Sequence, residues 1–200
     1  MLAALRGWHA VWPARSPMTG APDSDDALMG RVAAGDAAAF EDLAARHMRR
    51  AVALAQRLTG NASDADEIAQ DAFLRVWQHA GRWEPGRARF ATWLYRIVVN
   101  LAVDRKRRPG FQPLDAAAEL ADERPDAVDL IAERQTADRV GRALLELPER
   151  QRAAVVLFHQ EGLSQRQAAE VLGVGENAFE SLLARARRAL RTALAAGRTP

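Results

Sequence analysis

The chain contains no cysteine. That excludes disulfides, thiolate zinc sites and cysteine nucleophiles, and it fits a reducing compartment. Lysine occurs once, at Lys106, so arginine supplies almost all the positive charge. Long hydrophobic runs are missing too, and none approaches the roughly 20 residues that a membrane span needs. The N-terminal MLAALRGWHAVWPARSP has no continuous apolar centre, so no secretory signal is read there. The four histidines, His9, His47, His79 and His159, show neither HExxH nor any other paired-ligand spacing. No GxxxxGK[ST] or GxGxxG loop is present to cradle phosphate, and no Ser/His/Asp arrangement can be argued from spacing. The expectation is a protein with no catalytic residues, no cofactor and no metal, and therefore not an enzyme.

Charge is present, and unevenly placed. The net charge of the 200 residues is only +2. Residues 87–108 nevertheless carry seven cations against one acid, and residues 109–138 two cations against eight acids. Residues 139–200 return to ten cations against six acids. Two basic segments thus flank an acidic connector. Basic blocks bind phosphate through counterion release, but a solvated charged face gives the same count, and charge alone leaves both readings open.

Apolar spacing of three and four predicts helices throughout, with no strand pattern. Residues 1–25, with Pro13, Pro17, Gly20 and Pro22, read as a disordered extension, and Met18 is a candidate translation start within it. Helices are expected over 27–34 and 38–58, the second stopped by Gly60-Asn61, and a third opens at Ser63 with Asp64, Asp66 and Glu67 in its first turn. A fourth follows the loop HAGRWEPGRAR. Pro109, Gly110, Pro113 and Pro125 mark 109–138 as a linker. Helices resume at 139–146 and 149–160. The fold class is all-α, with two small helical domains at 26–108 and 139–196 joined by a flexible acidic linker.

The stretch SQRQAAEVLGVGENAFESLLARARRALR (164–191) reads as helix, glycine turn, helix. Ser164 and Gln167 form a capping-box pattern. At 100° per residue, Phe179, Leu182, Leu183, Ala186 and Leu190 share one side of the second helix, and Asn177, Ser181, Ala184, Arg185 and Arg188 the other. That is a helix-turn-helix whose outer helix suits the major groove, with Arg185, Arg187, Arg188 and Arg191 available to phosphates. In FATWLYRIVVNLAVDRKRR (90–108), Phe90, Trp93 and Tyr95 precede four consecutive cations. Such rings serve either as core anchors or as stacking platforms for unpaired bases, and periodicity does not choose between these roles.

Three blocks taken in order, DADEIAQDAFLRVW (64–77), FATWLYRIVVNLAVDRKRR (90–108) and LPERQRAAVVLFHQEGLSQRQAAEVLG (147–173) followed by ESLLARARRAL, resemble an extracytoplasmic-function (ECF) sigma factor of bacterial RNA polymerase, of the sigma-70 superfamily. The resemblance runs over about residues 26–195. It implies that the chain directs core polymerase to specific promoters and promotes melting. The clamp helices of core polymerase would be met by Glu67, Gln70, Asp71 and Leu74, and its flap region is a further expected contact. The minus-ten element would be met by Trp93, Tyr95, Asn100, Asp104, Arg105, Lys106 and Arg108. The minus-thirty-five element would be read by Asn177, Glu180, Ser181, Arg185 and Arg188, with Glu180 standing where the family frequently has a cation. It further implies promoter DNA and an anti-sigma factor as partners, and a cytoplasmic location. Two other functions compete with this one. A sigma-like decoy for an anti-sigma factor would lack the basic clusters at 105–108 and 185–191, and a helix-turn-helix repressor would leave the acidic helix at 64–71 without a partner.

Overall fold

The computed structural model describes residues 23–106 and 137–196. The expected linker at 109–138 and the expected extension at 1–25 fall almost wholly outside them, as does Arg108. Every element among the described residues is helical.

Four helices form the first unit. α1 (Asp25–Ala33) starts where the Ser24 side chain accepts the Ala27 N–H, and α2 (Ala37–Thr59) where Asp36 accepts from Ala38 and Ala39. Both are N-caps that satisfy otherwise unpaired amides of the first turn. Gly60 closes α2 in the left-handed region, with φ of 74°. α3 (Ala62–His79) is capped by Asn61, whose side chain accepts the Asp64 N–H. The expected opening at Ser63 is corrected by two residues, because the asparagine reaches the orphan amide first and Ser63 is already inside the helix. A short 3₁₀ turn (Ala80–Arg82) and a loop lead to α4 (Phe90–Lys106). Leu28 and Met29 of α1, Leu43 and Leu54 of α2, Ile68 and Val76 of α3, and Leu94 and Val98 of α4 meet in the core.

The second unit holds α5 (137–145), α6 (Glu149–Val155), α7 (Gln165–Leu172) and α8 (Glu176–Ala196). α6 does not run on to residue 160 as a regular helix. It widens into a π turn over Val156–Gln160, closed by the Glu161 N–H on the Val156 carbonyl at 3.0 Å. The Ser164–Gln167 capping box is formed in both directions, and Gly173 ends α7 at φ of 62°. Phe179, Leu183 and Ala186 of α8 are buried, as the 100° projection requires. Burying the phenylalanine alone contributes about 2–3 kcal/mol.

The two helical domains pack against each other. α4 packs against α7 as well as against α2 and α3, and the buried apolar cluster runs continuously through both units. Arg152, 1% exposed, sits at this junction. Its guanidinium donates to the Leu144, Leu145 and Leu147 carbonyls at 2.8, 2.5 and 2.9 Å, and also to the Leu58 carbonyl at the end of α2. Burial lowers its pKa, opposed by the charge of Glu149.

Candidate functional site

Three surfaces carry the residues singled out from the sequence. The first is one face of α3. Glu67, Gln70, Asp71 and Leu74 are all exposed, and their spacing of three and four puts them on a single stripe. Leu74 is 53% exposed, an apolar side chain set in an acidic surround, with Trp77 exposed one turn further on and edge-on to Phe40 at 5.3 Å.

The second surface belongs to α4, where the expected residues divide. Asn100 and Asp104 are exposed and Trp93 is half-buried, packed with Trp83 at 5.4 Å and Phe90 at 6.2 Å. Arg105 is held on the protein, Nη2 at 2.7 Å from Asp64 and Nη1 at 2.7 Å from Glu67. Burial opposes its charge, but the two carboxylates outweigh that and its pKa is raised. The side chain of Lys106 lies outside the described residues. Trp83, not singled out from the sequence, completes the aromatic cluster, and its buried indole N–H has no hydrogen-bond partner. A tryptophan in a glycine- and arginine-rich loop gave no periodic signal by which to find it.

Tyr95 is the exception on α4. It is 3% exposed, and its hydroxyl donates to Glu161 of the second unit at 2.9 Å. Burial first, and then the hydrogen bond to Glu161, push its pKa up to about 12. The other oxygen of Glu161 lies 2.5 Å from Arg57 Nη1 of α2, and the Glu161 side chain is 5% exposed. Sequence reasoning missed Glu161 and Arg57. Their separation of 104 residues leaves no pattern to read.

The third surface is the outer side of α8. Asn177, Glu180, Ser181, Arg185 and Arg188 are all exposed. Ser181 Oγ donates to the Asn177 carbonyl and Arg185 Nε to the Ser181 carbonyl, so this face is braced along its own helix. Arg187 departs from the expected group of four. It lies over the Phe158 ring at 5.6 Å and bonds His159, on the side of the π turn. No helix among the described residues is long and apolar enough to cross a membrane.

The chain matches Sigma-70 region 2 over residues 43–110 and Sigma-70 region 4 over residues 137–190. It is 42% identical over 167 residues to the ECF RNA polymerase sigma factor SigM of Mycobacterium tuberculosis, covering 84% of this chain and 83% of that one. It is 34% identical to the RNA polymerase sigma factor CnrH of Cupriavidus metallidurans, covering 86% and 95%. A solved structure of CnrH in complex with the cytosolic domain of CnrY is similar with a TM-score of 0.64 and 33% identity, over 87% of this chain and 99% of that chain. The sigma factor RpoE in complex with the anti-sigma factor NepR from Bartonella quintana shares the fold, with a TM-score of 0.62 and 22% identity over 78% and 96%.

Proposed function

Because the chain belongs to the ECF RNA polymerase sigma factors of the sigma-70 family, we propose that it meets its partners through the three surfaces just described. The α3 stripe of Glu67, Gln70, Asp71 and Leu74 docks on core polymerase. Two acids and an exposed leucine on one stripe fit a basic, partly apolar groove, and charge complementarity there speeds and orients docking. Residues 26–108 hold this surface and the minus-ten contacts, Trp93, Tyr95, Asn100, Asp104, Arg105, Lys106 and Arg108. Residues 139–196 hold the minus-thirty-five contacts, Asn177, Glu180, Ser181, Arg185 and Arg188, on the outer face of α8, and residues 109–138 link the two. An α-helix enters the major groove with its N-terminal side chains on base edges and its later arginines on phosphates.

On this reading the chain is a cytoplasmic, non-catalytic subunit, since polymerase supplies the chemistry. CnrH has been solved with the cytosolic domain of CnrY and RpoE with the anti-sigma factor NepR, and an anti-sigma factor is the corresponding partner here. The observation that carries the reading is the single-faced exposure of the α3 stripe in a chain matched to both sigma regions. The test is reconstitution with core polymerase and selection of promoters from a random library. Wild type is expected to yield defined start sites. Asp71→Arg is expected to lose core binding without a change in thermal unfolding, and unaltered core binding would remove α3 as the docking face.

A further inference from the structure

The contact between Glu161 and the first unit has the form of a filled anion site. One carboxylate oxygen is held by the Arg57 guanidinium at 2.5 Å and the other by the Tyr95 hydroxyl at 2.9 Å. The Glu161 side chain is 5% exposed and that of Arg57 42%, and Arg50, seven residues before Arg57 on α2, acts on Tyr95 together with Arg57. A guanidinium and a hydroxyl placed to take two oxygens of one anion will also take the two free oxygens of a phosphodiester, because arginine binds both groups by the same geometry.

The occupant seen here cannot remain in a promoter complex. The minus-ten and minus-thirty-five elements are roughly 25 base pairs apart, about 85 Å of duplex, whereas α4 and α7 touch. Reading both elements separates the two units and pulls Glu161 out of the notch at the moment that DNA comes onto α4. By helical projection Thr92, Val99 and Ala102 lie on the Tyr95 flank of α4, and all three are buried. Separation leaves the Tyr95 hydroxyl of α4 and the Arg57 guanidinium of α2 without their carboxylate, next to the charge of Arg50.

We propose that the notch of Arg50, Arg57 and Tyr95 is a phosphate site for the promoter backbone, and that Glu161 is its internal occupant, holding it closed until DNA replaces the carboxylate. This rests on the sigma-factor reading and adds to it a binding site on α2. Phosphate contacts of this kind set register rather than sequence. Glu161 and promoter phosphate compete for one site, so each lowers the apparent affinity of the other.

The experiment measures promoter binding by the reconstituted holoenzyme across a salt series, for wild type, Arg57→Gln and Tyr95→Phe. Arg57→Gln is expected to weaken binding three- to tenfold on every promoter and to reduce the salt slope by about 1. Core binding should be unchanged. Promoters carrying single neutral methylphosphonates near the minus-ten element give the second readout. One substitution should weaken wild type and leave Arg57→Gln unaffected, and Tyr95→Phe should show a smaller loss at the same position. Wild-type affinity and slope in Arg57→Gln would overturn the proposal, as would a loss confined to core binding, which would make the occupant a protein carboxylate. Failure of the wild-type holoenzyme to bind any promoter would instead defeat the sigma-factor reading, so the two failures are distinct.

Discussion

Arg105 Nη1 lies 2.7 Å from Glu67 Oε2, and the same guanidinium reaches Asp64 at 2.7 Å. The last turn of α4, proposed to meet DNA, is thereby tied to the first turn and a half of α3, proposed to meet polymerase. Asp64 is largely buried whereas Glu67 is more than half exposed. The Asp64 arm therefore carries most of the stability, and the Glu67 arm is screened by water. Arg105→Ala is expected to cost about 1–2 kcal/mol, because it strands a mostly buried carboxylate. Glu67→Gln should cost less than about 0.5 kcal/mol. Chemical denaturation of the two variants checks the ordering, and equal losses would contradict it.

Gly60 offers a separate test of the junction between the units. Its φ of +74° disfavours any side chain, and a Cβ there would stand 2.6 Å from Leu145 Cδ1 of α5. Gly60→Ala should therefore lose about 1–2 kcal/mol from the backbone alone and a further increment from the clash, eased by movement of the leucine tip. Adding Leu145→Ala is expected to return the second part and leave the first. The interaction term of that double-mutant cycle measures whether α5 rests on the end of α2 in solution.

Tyr95 gives the closed contact a pH limit. The phenol ordinarily titrates near 10, and in the closed form its pKa is pushed up to about 12. The closed form thus favours the protonated phenol. Its contribution, about 2 kcal/mol, is complete below pH 10 and is lost as pH rises from 10 to 12. The absence of cysteine allows dyes to be placed through Ala45→Cys and Ala195→Cys, both at exposed positions. The distance between them should increase over that interval in the free chain. Tyr95→Phe has no phenol to titrate and should show no transition there.

Most helix ends were legible because their signals are local. Gly60 and the Ser164–Gln167 pair act within four residues, and each does what its chemistry predicts. Ser63 misled because Asn61, two residues earlier, has the same capping chemistry and a better position. The buried stripe of α8 followed from projection alone, whereas the exposed residues of α3 were named through the family resemblance. What escaped was everything set by contact between the units. Tyr95 looked like a DNA-facing aromatic, yet α4 is covered on a second flank by α7, which no periodicity within α4 records. Arg152 stands in an apolar run where a cation reads as surface, and its carbonyl acceptors come from two separate parts of the chain, residues 144–147 and Leu58. The π turn over Val156–Gln160 replaces a regular helix end, and Gly162, which follows Glu161, marks where the helix stops but not that its last turn widens.

On α8 the side chains fall into two groups with different expected outcomes. Asn177 and Ser181 lie near the N-terminal end of the outer face, where a helix presents residues to base edges. Asn177→Ala should cost about 1–3 kcal/mol on the preferred minus-thirty-five sequence and relax discrimination at one position. Arg188 lies two to three turns further along, so Arg188→Ala should weaken all sequences alike and reduce the salt slope by about 1. Arg187 should behave differently from both. Its guanidinium is already over Phe158 and bonded to His159, so Arg187→Ala is expected to lower thermal stability by about 0.5–1 kcal/mol and leave the salt slope unchanged. Holoenzyme binding to a minus-thirty-five library at several salt concentrations separates the three outcomes. A slope change in Arg187→Ala equal to that in Arg188→Ala would show that the Phe158 contact yields to DNA.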